Sequence, residues 1–331
     1  MSTVNTTGGP VDSTRLGKTY MHEHIFIVNP EMQYHWPGCL GWDEEREVKR
    51  AIELFKALEA ETGVATILDP TVAGLGRHLK AMARVAAGSG MNVIAATGWY
   101  TFTELSFNMH FRPQQQVIQI LEDLFVRDIE QGMEDTGIRA GVLKCCTDAQ
   151  GVTPHVEIIL RAVARAHVRT GTPITTHTDA PSERGLEQQR IFREEGVDLG
   201  KVVIGHTNQS NSLDYMQKLM DAGSFIGFDR CGVAGPQAPR EVQLDNLAAL
   251  IGRGYAQRIV LSHDNMVFMD AMDTDQITAL AGPEFPYRYI HSGFLPGLRQ
   301  RGVSESAINT MLIDAPRAYF SGGTSSCTNQ Q

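Results

Sequence analysis

Eight times along this chain a short apolar, β-branched run ends in a polar or titratable residue and gives way to a helical stretch. The runs are 19–28, 65–68, 92–97, 140–143, 173–176, 201–204, 224–228 and 258–262. Most are too short for helices and read as strands buried on both faces. Apolar residues near a 3.6 period fill the stretches between them. In 44–61 these are Val48, Ile52, Phe55 and Leu58, with Leu54 beside them. Comparable stretches cover 114–132, 155–170, 212–222 and 242–252. Gly63, Gly171 and Gly223 precede strands, where a left-handed residue closes a helix. Alternating strands and helices demand a parallel sheet, closed or doubly wound, and a count of eight favours closure. The expected fold class is α/β, a (β/α)8 TIM barrel.

The chain of 331 residues is expected to form one domain, 1–331. The barrel would cover about 17–322, between a short polar N-terminal segment and a disordered C-terminal tail. Barrels often reach this size as one unit. A net charge of −9 argues against non-specific binding to nucleic acid or to anionic membranes. No apolar run is long enough to span a bilayer, and the N-terminus lacks the pattern of a signal peptide. The cysteines, Cys39, Cys145, Cys146, Cys231 and Cys327, are odd in number and form no CxxC pair. They imply neither a disulfide framework nor a cysteine zinc site, and reduced thiols in a cytoplasmic protein are expected. Segment 30–42, rich in Trp, Pro and Gly, reads as an ordered loop after the first strand.

Side chains at the carboxyl ends of barrel strands converge on one mouth. Strand one carries His22-Glu23-His24, and residues two apart in an extended chain share a side. Strands five and six end at His177 and His206, and strand eight ends at Asp264. Four imidazoles and a carboxylate suit zinc in first place, or cobalt, iron or manganese. Lys144 ends strand four, and an ammonium repels metal ions. It either stays charged beside a carboxylate or reacts with CO₂ to give an anionic carbamate that bridges two ions. With the carbamate, the residue types add up to two divalent ions and a bridging hydroxide. Each residue alone has a plainer reading: a satisfied polar group for a strand-end histidine, a surface side chain for the lysine. The weight lies in their occurring together. By the same alternation His263 points away from the mouth, and His35, His78, His110, His155, His167 and His291 fall in loops or helices.

The set His22, His24, Lys144, His177, His206 and Asp264, in this order, resembles that of the phosphotriesterase family of the amidohydrolase superfamily. The phrases MHEHIF, ATGWY, GVLKCC, ITTHTDA, VVIGHTNQS and IVLSHDN fit it too, and the likeness runs over about 17–322. Within the family the chain is most similar to the phosphotriesterase-like lactonases. Tyr100 stands where those proteins have a tyrosine against the lactone ring, and Arg230 where they have an arginine after strand seven. Met266, Val267, Phe268, Met269 and Met272 follow Asp264 and suit an acyl-chain channel. The resemblance implies hydrolysis of N-acyl-homoserine lactones, with weak phosphotriesterase activity, and a homodimer. It implies that Asp264 takes the proton of the nucleophile, that Tyr100 positions the ring and that Arg230 shapes the pocket. Trp99, Phe102 and Phe107 are expected in the core or along the pocket. Ala315 departs from the family's asparagine before Pro316, at what reads as a helix start. The rival readings are a primary phosphotriesterase or other ester hydrolase on the same site, a site with one ion, and a metal-containing binding protein without catalysis.

Overall fold

Each of the eight expected runs forms a strand in the computed structural model, which describes residues 2–233, 238–273, 276 and 287–321. In chain order the strands are β1 (Thr3–Thr6), β2 (Gly9–Asp12), β3 (Lys18–Tyr20), β4 (His24–Ile27), β5 (Val64–Asp69), β6 (Asn92–Gly98), β7 (Val142–Thr147), β8 (Ile174–Thr178), β9 (Val202–Ile204), β10 (Phe225–Phe228), β11 (Ile259–Leu261) and β12 (Met266–Met269). A parallel eight-stranded sheet runs β3-β5-β6-β7-β8-β9-β10-β11. Its two ends meet: Met21 N–H donates to the Leu261 carbonyl (3.2 Å) and Asp264 N–H to the His22 carbonyl (3.1 Å). Above that seam β12 pairs in parallel with β4, Met266 opposite His24. The architecture is a (β/α)8 barrel.

Helices α1 (Pro30–His35), α2 (Glu44–Thr62), α3 (Leu79–Ser89), α4 (Gln114–Glu130), α5 (Pro154–Thr170), α6 (Arg184–Glu194), α7 (Leu213–Asp221) and α8 (Arg240–Gly252) accompany the strands. Gly63 and Gly171 close α2 and α5 in the left-handed conformation. The apolar faces of α2 to α8 bury Phe55, Val85, Leu121, Val163, Phe192, Leu219 and Leu247 against the outward side chains of the strands. Inward side chains build a separate core: Leu68, Ile94, Val142, Val203, Phe225 and Val260. The two cores follow from the period of two along each strand.

Several boundaries differ from those read in the sequence. Strand one is not continuous from 19 to 28; it breaks between β3 and β4, so His22 sits in the interruption. Strand eight breaks likewise between β11 and β12, and Asp264 sits there. Strand four runs past Lys144 to Thr147, because Cys145, Cys146 and Thr147 pair in register with Thr176, His177 and Thr178. Segment 30–42 holds α1, which Asn29 caps by accepting from Met32 N–H. The polar N-terminal segment forms the hairpin β1–β2 under the barrel floor, where Asn5 Nδ2 donates to the Ala140 carbonyl (3.2 Å) and Val4 joins the inner core. Ala315 starts no new helix end needing a cap; it continues a π-helical turn, Thr310–Asp314, directly into Ala315–Ser321. Phe107 is neither core nor pocket: it is 77% exposed and packs edge-on against Phe111. Helices α3 and α6 and the hairpin were not singled out in the sequence. Among the described residues Cys39, Cys145, Cys146 and Cys231 are unpaired thiols, and no helix is long and apolar enough to cross a membrane. The expected tail beyond 321 lies outside the described residues.

Candidate metal centre

Inward parity on β7 places Lys144 directly above Val142, inside the barrel and 1% exposed. On β8 the same parity places His177 above Thr175. Gly98, on the neighbouring β6, has φ 145°, and a Cβ there would collide with the Lys144 carbonyl oxygen. Only glycine lets β6 approach β7 so closely at this level. His206 follows β9 with φ 60° and Asp264 follows β11 with φ 58°. Left-handed backbone is unusual outside glycine and clusters at functional sites, where the surrounding fold imposes it.

These elements bring all six expected residues to one mouth. His22 Nε2 lies 3.5 Å and His24 Nε2 3.3 Å from Asp264 Oδ1. His206 Nε2 lies 3.8 Å from Asp264 Oδ2, and the His206 ring is edge-on to His177 with centroids 4.5 Å apart. Lys144 Nζ is 3.0 Å from His22 Nε2. Among the described residues no carboxylate forms an ion pair with Lys144 within 4.0 Å, and the carboxylates that favour its charged form from further off are Asp264 and Asp229. His22, His24 and Asp264 offer three donor atoms within 4.8 Å of one another. Lone pairs crowded this closely, with a buried amine beside them, fit a divalent cation better than they fit each other. In His177, Nδ1 lies 3.2 Å from Tyr100 Oη and Nε2 3.2 Å from Asp148 Oδ2.

Sequence reasoning passed over the acids that hold these rings. Asp229 Oδ1 accepts from His206 Nδ1 (3.0 Å) and from His206 N–H (2.7 Å), and its Oδ2 lies 3.2 Å from His22 Nδ1. A second donor cluster, His22, His206 and Asp229, therefore gathers around these Nδ1 atoms. It turns both Nε2 atoms towards the centre, as carboxylates behind metal-bound histidines do. The signal was in the sequence: counting by twos from the inward Phe225 through Gly227 reaches Asp229, not Arg230. His24 Nδ1 donates to Thr71 Oγ1 (2.6 Å), whose hydroxyl donates to Asp69 Oδ1 (2.5 Å). Glu23 points out of the barrel and joins its two ends, accepting from Ser262 Oγ, His263 N–H, His263 Nδ1 and Asn265 N–H. His263 thus faces away from the mouth, as alternation expects. Arg230 Nε donates to Asp264 Oδ2 (2.8 Å), and Phe102 packs edge-on against Tyr100.

Burial sets the charge states. It lowers His22 to about 4, with the neighbouring Lys144 adding to the effect, and lowers His177 to about 4. It also lowers Lys144 to about 8. Burial alone would raise the carboxyls of Asp229 and Asp264, but His206 with its neighbours outweighs it and holds both well below the usual range. His22, His177 and His206 are thus neutral imidazoles, and Asp229 and Asp264 ionised carboxylates, at neutral pH, the states that bind metals. A stability consequence follows for the metal-free protein. Free histidine titrates near 6.5, so between pH 6.5 and about 4 the unfolded chain binds protons that folded His22 and His177 refuse. Stability is expected to fall as pH falls through that window, on the order of 3 kcal/mol per histidine. Urea midpoints of metal-free protein that stay level from pH 7 to pH 4.5 would contradict this.

Beside the mouth lies a cleft of about 920 Å³. Ile27, Leu75, Trp99 and Met269 line its apolar side, and Arg77, Lys80 and Glu134 its charged side. Trp99 and Ala73 form an isolated β-bridge in its wall, and Tyr100 N–H donates to the Ala73 carbonyl (2.9 Å).

A (β/α)8 barrel that gathers four imidazoles, a lysine and a carboxylate at the carboxyl ends of its strands has the build of a metal-dependent hydrolase. The chain belongs to the phosphotriesterase family, whose sequence profile matches residues 2–320. It is 47% identical over 323 residues to the phosphotriesterase homology protein of Mycobacterium tuberculosis, covering 97% of this chain and 98% of that protein. It is 37% identical over 317 residues to the aryldialkylphosphatase of Saccharolobus solfataricus, covering 94% and 97%. A solved structure of the phosphotriesterase from Mycobacterium tuberculosis superposes with a TM-score of 0.90 at 46% identity, covering 96% of this chain and 98% of that one.

Proposed function

We propose that residues 1–331 form a lactone-opening hydrolase with two divalent ions, acting on N-acyl-homoserine lactones and weakly on aryl phosphotriesters. The observation that carries the hydrolase reading is the convergence of His22 Nε2, His24 Nε2 and Asp264 Oδ1, with Lys144 Nζ alongside. His22, His24 and Asp264 would hold one ion and His177 and His206 the other, with Lys144 as a carbamate between them. When bound, the ions act as Lewis acids on the scissile carbonyl or phosphoryl oxygen and supply a water-derived nucleophile at neutral pH.

The chain's own residues do the rest. Arg230 holds Asp264 through Oδ2, which orients Oδ1 towards His22 and His24 and so fixes the carboxylate beside the reacting centre. Asp264 accepts the proton of the attacking water and returns it to the alkoxide released when the ring C–O bond breaks. Burial raises the Tyr100 phenol well above its ordinary value, so it stays protonated as a donor towards the ring or its developing oxyanion. The apolar wall of the adjoining cleft, Ile27, Leu75, Trp99 and Met269, receives the acyl chain. The segment after Asp264 contributes less to that channel than its composition suggests. Val267 is buried in the outer core and Phe268 packs on Trp42, while Met269 lines the cleft together with Asp270 and Ala271.

The test is lactone hydrolysis by the purified protein before and after chelation, with add-back of zinc, cobalt or manganese. Loss followed by recovery is the expected result. Activity that survives verified metal removal would end the two-ion reading. A metal-loaded protein that turns over aryl phosphotriesters but no lactone would put the second reading first. That reading is favoured by the aryldialkylphosphatase name of one relative.

A further inference from the structure

Phe102 is 42% exposed, yet its ring is turned towards the site. It packs edge-on against Tyr100, with centroids 5.4 Å apart, and lies tilted to His177 at 5.8 Å. Phe107 and Phe111, further along the same loop, pack on each other instead. Of these three phenylalanines, Phe102 is the one that turns back to the mouth.

The backbone presents that ring from a pinned turn. Thr101 Oγ1 donates to the Glu104 carbonyl (2.7 Å) and accepts from Thr103 N–H (3.4 Å), closing a turn that carries Phe102. Thr153 caps α5 by accepting from Val156 N–H, and it gives its own hydrogen to the Thr103 carbonyl (2.6 Å). Leu105, 3% exposed, roots the far end of the turn in the outer core. Tyr100 is held at its backbone by the N–H bond to the Ala73 carbonyl (2.9 Å). Backbone bonds leave the two side-chain torsions of a tyrosine free, and packing is what fixes them. We propose that Phe102 is a positioning residue, whose ring braces Tyr100 so that the phenol hydroxyl stays aimed at the reacting centre. The inference rests on the reading of Tyr100 as a donor to the ring or its oxyanion. Phe102 touches two residues of the site, so a rival route runs through His177, and the two routes leave different traces. Bracing of Tyr100 shows in kcat, whereas disturbance of His177 shows in metal content.

The test is a double-mutant cycle on zinc-reconstituted protein: Tyr100→Phe, Phe102→Ala and the two combined, assayed on an N-acyl-homoserine lactone. Phe102→Ala is expected to lower kcat about 3–10-fold, the worth of one aromatic pair, with KM little changed. The double variant should be no slower than Tyr100→Phe alone, since no hydroxyl is left to aim. Phe102→Tyr keeps the ring and should restore kcat. Metal per chain should match wild type throughout, and Phe102→Ala should melt within about 5 °C of it. Losses that add in the double variant would overturn the proposal, because Phe102 would then act on something other than Tyr100. So would fewer ions per chain in Phe102→Ala, the mark of the His177 route. A raised KM with unchanged kcat would overturn it too, since that pattern belongs to a plain binding surface. Full turnover by metal-loaded Tyr100→Phe would overturn the donor reading of Tyr100 itself, and this proposal with it. If wild type turns over aryl phosphotriesters and no lactone, the cycle is read on a phosphotriester by the same criteria. Inactivity on both would overturn the hydrolase reading and the bracing role together.

Discussion

Asp264→Asn is expected to leave the barrel folded and to lower kcat by about 10²–10⁴-fold, the range for loss of a positioned acid–base group. The fold should survive for a local reason. Asp264 has φ 58°, and asparagine tolerates left-handed backbone as well as aspartate does. Its N–H bond to the His22 carbonyl, which helps join the two ends of the barrel, is untouched. What changes is charge. Arg230 keeps an acceptor oxygen but loses the anion it pairs with, and the imidazoles of His22 and His24 face an amide instead of a carboxylate. A melting temperature within about 5 °C of wild type, together with the lost turnover on both a lactone and an aryl phosphotriester, is the expected pair of results. Full turnover by the folded variant would remove Asp264 from proton transfer.

Removing the amine of Lys144 should show first in metal content. Lys144→Ala is expected to hold fewer than two ions per chain and to lose about 2–4 kcal/mol of stability, because truncating a fully buried side chain leaves a cavity. Lys144→Met separates the two effects: it keeps the volume and removes only the nitrogen. Burial holds the Lys144 ammonium down at about 8, so near that pH much of the amine is neutral, the form that attacks CO₂. Metal-loaded wild type grown with ¹³C-bicarbonate should then give a carbamate signal that Lys144→Met lacks. Two ions per chain in Lys144→Met would refute the bridging carbamate.

Much of the candidate centre was legible because each of its residues stands beside a strand signal. His177 and His206 end apolar runs that can only be strands, and eight such runs define one mouth. Lys144 was recognised for its company, although its strand continues three residues further. The supporting acids were harder. Asp229 could have been found by parity from Phe225. Asp69 could not, since it reaches His24 through Thr71, and nothing in the spacing of strands one and two announces a relay. Glu23 sits between two candidate ligands and looks like one more, yet it faces the other side and closes the barrel through four hydrogen bonds to 262–265.

Local pattern therefore determined the class of fold and the six residues at its mouth, because periodicity and residue type are properties of the chain itself. Tertiary structure decided which nitrogen each histidine presents, which acid stands behind it, and where strands one and eight break to let His22 and Asp264 turn inward. Those features depend on contacts between residues far apart in sequence: His22 with Asp229, Asp69 with Ile25, Arg230 with Asp264. A hydrogen bond across a closed barrel leaves no periodic trace in either partner, so it emerges only when the eighth strand meets the first.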